Sequence, residues 1–154
     1  MQQDDGMSLS KTDHSAFANA IETGNVEKVR SLLKQYPELV NHPDWTPPPL
    51  HCAILWDQLE VAELLLENGA DMEMLDPDQQ TTPLRYAIMY CKTAIIAALL
   101  SRGANAGPIV DDGTTALQLA KSALAGEYKE FDDLPRPEAY RNVVEVLIQA
   151  GLKR

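Results

Sequence analysis

Pro49-Leu50-His51-Cys52-Ala53 and Thr82-Pro83-Leu84-Arg85-Tyr86-Ala87 are the two stretches that decide the fold. In each, an apolar residue is followed three positions later by alanine, and the same pair recurs as Phe17–Ala20 and Leu117–Ala120. Successive leading residues stand 33, 34 and 33 positions apart. Self-similarity at a fixed period of this length marks a stacked repeat array, in which each unit buries its apolar face only against its neighbours. Such a stack offers an extended surface, and nothing obliges it to contain a catalytic pocket.

Around these stretches each unit reads as two helices. In the third, Thr82-Pro83-Leu84 opens a helix, because a threonine hydroxyl can cap and proline at the first helical position gives up no needed N–H. Leu84, Ala87 and Ile88 supply its apolar stripe. Ile95, Ile96, Leu99 and Leu100 follow at helical spacing, and Gly103 ends that second helix in a left-handed conformation. The second unit repeats the plan with Leu50, Ala53, Val61, Leu64, Leu65 and Gly69. Polar, turn-rich segments such as Asp76-Pro77-Asp78-Gln79-Gln80 join the units as projecting hairpins or loops.

With its Pro-Leu-His-Cys-Ala and Thr-Pro-Leu-Arg-Tyr-Ala segments, the chain resembles the ankyrin repeat family, whose signature is T-P-L-H-x-A. Leu64 to Asp71 and Leu99 to Asn105 are similar to the family's second-helix ending, and Asp112 to Leu117 to its hairpin-to-helix passage. The resemblance implies an all-α solenoid of stacked helix–turn–helix repeats joined by hairpin loops. Its units fall at about 15–46, 47–80, 81–113 and 114–152, after a flexible segment 1–14. Ser15 is expected to cap the first unit, and Pro47-Pro48-Pro49 to lead into the second as a rigid extended stretch. The fourth unit is interrupted: the step from Leu99 to Leu147 is 48 residues, about 14 more than the step before it. The insert, at about 125–142, carries Tyr128, Phe131 and Tyr140, which suggest that it packs back on the stack.

Composition limits the function. At 154 residues, with 45% apolar and 23% charged content, the chain suits one globular domain with a real core. No apolar run approaches the roughly 18 residues of a membrane span. The polar, acidic start lacks the regions of a secretory signal, and two cysteines, Cys52 and Cys91, make no disulfide framework. A cytoplasmic monomer is the expectation. The net charge of −10 has one source: no Lys or Arg lies between Gln35 and Leu84, a window with ten acids, while the rest of the chain is balanced. Such a surface repels phosphate backbones, which argues against nucleic acid, and it draws basic partners. Most of these acids, including Glu60, Glu63 and Glu67, are read as a solvated face.

By the resemblance, the two positions after each unit's signature alanine face the concave side. They are Leu55 and Trp56 in the second unit, and Met89 and Tyr90 in the third. An exposed apolar patch of that kind marks an interaction site. Trp45 is expected beside the same groove, Leu75 at the next tip, and Asp44, Glu73, Asp76 and Asp78 in the hairpins above it. Carboxylates over an aromatic floor suit a basic peptide or a basic protein loop. Protein binding without catalysis is therefore the expected role, with no cofactor or metal. An inhibitor or immunity-type protein that plugs a basic active site is the alternative, and the insert is a competing partner site. His51 neighbours Cys52, yet in the family this histidine bonds the backbone of adjoining turns. His14 and His42 stand isolated in presumed loops. Neither a zinc-like ligand spacing nor a G-x-S-x-G or phosphate-binding glycine loop is present.

Overall fold

The computed structural model describes residues 9–108, 112–128 and 133–152. Among them the chain forms eight α-helices: α1 (Lys11–Thr23), α2 (Val26–Gln35), α3 (Pro49–Leu55), α4 (Leu59–Glu67), α5 (Pro83–Met89), α6 (Thr93–Ser101), α7 (Ala116–Leu124) and α8 (Tyr140–Gln149). Short 3-10 turns cover Pro37–Asn41 and Pro137–Ala139. No strand forms among the described residues; a single antiparallel bridge joins Pro108 to Thr115.

The helices lie in two rows. α1, α3, α5 and α7 pack in succession, and so do α2, α4, α6 and α8, each row member also packing on its own partner. The repeat spacing produces this order, because Phe17, Leu50, Leu84 and Leu117 occupy equivalent buried places, as do Ala20, Ala53, Ala87 and Ala120. Alanine at the crossing lets neighbouring helices approach closely, while Ile54, Leu65, Ile88, Ile96 and Leu99 fill the space between rows at 0% exposure. The architecture is an all-α repeat solenoid.

Local chemistry sets the ends of the helices. The Thr82 hydroxyl accepts from the Arg85 N–H, with Pro83 next to it in the first turn. Thr115 and Gln118 close a reciprocal capping box at α7. Pro48 is extended at φ −55° and ψ 154° and offers no side-chain cap. Pro49 is already the first residue of α3, and Pro47 sits in a bend after a cis Thr46-Pro47 bond, so only one of the three prolines is extended as expected. The first helix departs from expectation. Ser10, not Ser15, is its cap, in a box with Asp13, because that pair satisfies two end donors at once. Ser15 is exposed within the helix, so residues 11–14 belong to the stack.

A polar ladder ties each loop to the next. The Asn41 side chain donates to the Gly69 carbonyl and accepts from the Asp71 N–H, both at 2.9 Å. One unit further on, Glu73 Oε1 accepts from the Asn105 N–H at 2.9 Å. The three residues stand at equal steps of 32 along the sequence. In the insert, Tyr128 and Tyr140 pack against the core as expected, and the Tyr140 hydroxyl donates to the Met89 carbonyl. Phe131 lies outside the described residues.

Candidate interaction surface

Leu55 ends α3 and Trp56 follows as its C-cap; they are 39% and 51% exposed. They stand where the chain leaves α3 for α4, and core packing does not claim them. Tyr90 stands at the equivalent place after α5 and is half-buried. Its ring meets Tyr86 edge-on at 5.0 Å, and Tyr86 in turn meets His51 at 5.3 Å. Burial pushes the Tyr86 hydroxyl up to about 12 and raises that of Tyr90, so both phenols stay neutral.

Met89 is a correction. Expected on the surface beside Tyr90, it is 0% exposed. Tyr140, the first residue of α8, reaches this end of α5 and its hydroxyl donates to the Met89 carbonyl; the insert that delivers this residue is foreign to the regular repeat. Asp76 is a second correction. It is 3% exposed. Its N–H donates to the Thr81 carbonyl at 2.9 Å, and its Oδ1 accepts from the Asp78 N–H at 3.0 Å, so it builds the loop from within. Glu73 is exposed, but its carboxylate is engaged in the ladder to Asn105. Asp44 and Asp78 are exposed, and so is Leu75, at 45%.

His51 is fully buried, with Nε2 2.8 Å from the Thr81 carbonyl. A carbonyl only accepts, so Nε2 carries the proton and Nδ1 does not. Burial lowers the pKa of the imidazole, against smaller opposing effects from the Thr81 bond and Asp76. The neutral ring therefore pins the loop between the second and third units to α3. Cys52 and Cys91 are free thiols, each pushed up to about 11 by burial, which suppresses thiolate chemistry. No cluster of three or more His, Cys, Asp or Glu side chains fit to hold a metal ion occurs among the described residues. None of the described helices is long and apolar enough to cross a membrane.

Trp45 is half-buried, and its indole meets Phe17 and His14 edge-on at 5.4 and 5.2 Å. His14 lies on α1 rather than in a loop, 5.2 Å from the His42 ring. These residues are scattered in the sequence and carry no shared motif. Only the packing of α1 against the loop before α3 brings them together.

Residues 2–76 match the family model of ankyrin repeats in three copies. Over 90 residues, 58% of the chain, the sequence is 31% identical to an ankyrin repeat protein of fowlpox virus. It is 34% identical over 103 residues, 63% of the chain, to a chloroplastic ankyrin repeat domain-containing protein of Arabidopsis thaliana. It is 30% identical over 102 residues, 66% of the chain, to the ankyrin repeat and SAM domain-containing protein 6 of Rattus norvegicus. The matched segments span 21%, 32% and 12% of those proteins' own lengths. Ankyrin repeats generally mediate protein–protein interaction. With its stacked helix pairs, its His51 bond to the next loop and these matches, the chain resembles the ankyrin repeat family in both sequence and fold.

Proposed function

We propose that this chain is a non-catalytic, monomeric binding module that docks a basic segment of another protein on its inner face, centred on Leu55 and Trp56. One observation carries the reading: an indole 51% exposed beside a leucine 39% exposed, on a helix end where core packing asks for neither. Large apolar side chains grouped on a surface favour partner binding, and tryptophan is enriched among residues that dominate interface energy. The basic character of the partner follows from charge. Residues 36–83 contain no Lys or Arg, and Asp44, Asp57 and Asp78 are exposed within them. Tyr90 flanks the patch from the third unit, and Met89 has no part in it.

Affinity capture with wild type beside Trp56→Ala is the test. The exposed position should tolerate alanine, so circular dichroism is expected to be unchanged. The captured partner is expected to be retained by wild type, released by added salt, and lost from the variant. Equal retention by the two proteins would rule the reading out.

A further inference from the structure

A cavity of about 290 Å³ opens between α1 and the loop before α3. His14, Ser15 and Ala18 line it from the helix, and His42, Asp44 and Trp45 from the loop. Small-molecule sites run from about 300 to 1,000 Å³, so this volume suits one side chain better than a cofactor.

Its aromatic wall is held by ring contacts. Phe17, a core residue with 0% exposure, meets the Trp45 indole at 5.4 Å and 88°, and His14 meets it at 5.2 Å and 63°. The Asp44 N–H donates to His42 Nδ1 at 3.3 Å, which fixes the rim while the Asp44 side chain stays exposed. A preset indole and an exposed carboxylate thus share one small concavity. The ring face carries negative potential and the carboxylate a full negative charge, so both favour a cation. The loop side adds no lysine or arginine, since residues 36–83 lack both. Lys11, one turn before Ser15, is exposed and does not line the cavity.

We propose that this cavity receives an arginine side chain of the partner protein, its guanidinium against Trp45 and paired with Asp44; this rests on the reading that the chain docks a basic segment. Arginine fits better than lysine because its planar fork both stacks on a ring and matches a carboxylate. Pro47, Pro48 and the seven residues of α3 lie between the Thr46 rim and Trp56 along the chain, and α3 alone is about 10 Å long. A segment that fills both places must therefore hold its arginine and an apolar side chain several residues apart.

The test follows the two indole N–H signals by NMR while N-acetyl-arginine methylamide is titrated in. The citrulline and glutamate counterparts serve as neutral and anionic controls. The Trp45 signal is expected to shift saturably with the arginine probe alone, and Asp44→Asn, at an exposed position, to weaken that binding roughly two- to five-fold. No response at Trp45, an equal response to citrulline, or a larger shift at Trp56 overturns the assignment. So does a partner affinity unchanged by Asp44→Asn while Trp56→Ala abolishes it, and the broader reading then survives. Capture indifferent to Trp56→Ala, with the titration intact, removes the broader reading and leaves the arginine-sized cavity standing.

Discussion

Asp57 and Cys91 hold φ of 55° and 57° at the turn between paired helices, the place that Gly24 fills in the first unit at 71°. Left-handed backbone costs an L-residue roughly 1–2 kcal/mol, and aspartate tolerates it better than most. Asp57 is exposed, so Asp57→Gly removes the strain without disturbing packing. Urea unfolding is expected to show a gain of about 0.5–1 kcal/mol, after the greater freedom of glycine in the unfolded chain is offset. His51 carries the second prediction at this scale. Its pKa is lowered in the fold by burial, so as pH falls the unfolded chain takes up the proton first. The stability it contributes is fully present above an unfolded pKa of about 6.5 and is lost as pH falls toward the folded value. Melts between about pH 7.5 and 5.5 should therefore show stability falling with acid, with a slope of at most about 1.4 kcal/mol per pH unit from this one proton. His51→Gln should remove that slope. A variant with the same pH profile as wild type would discard the explanation.

Among the elements, α7 has the fullest set of local signals. Thr115 Oγ1 accepts from the Gln118 N–H at 3.3 Å, and Gln118 Oε1 accepts from the Thr115 N–H at 2.9 Å. Thr115→Ala should cost about 1 kcal/mol, read as a lower urea midpoint at an unchanged slope. The cap at Thr82 was legible because capping needs only neighbours in the chain. The start of α1 was harder, since Ser10 and Ser15 are both competent caps in sequence. Asp13, three residues after Ser10, decides between them by closing the box. At α8 the helix begins at Tyr140, ahead of the run from Val143 that the apolar spacing marks. Burial of the Tyr140 ring and its bond to Met89 extend that helix backward.

The whole molecule is a linear stack, so its units depend on their nearest neighbours alone. Leu147 in α8 is 0% exposed in the last unit. Leu147→Ala should cost about 2–5 kcal/mol of local stability. Hydrogen exchange is expected to show α7 and α8 losing protection while α1 to α4 keep theirs; uniform loss along the chain would mean one indivisible cooperative unit. By itself the sequence determined the repeat period, the two-row helical stack, the resemblance to ankyrin repeats and the acidic window between Gln35 and Leu84. Those properties follow from spacing along the chain, and spacing survives without coordinates. Only the tertiary structure decided which side chains face solvent. It buried Met89 where Tyr140 bonds its carbonyl, drew Asp76 into the loop it builds, left Trp56 exposed, and gathered His14, His42 and Trp45 around one cavity. Burial and proximity across units depend on how an irregular insert and a proline-rich loop fold back, and no local periodicity encodes that.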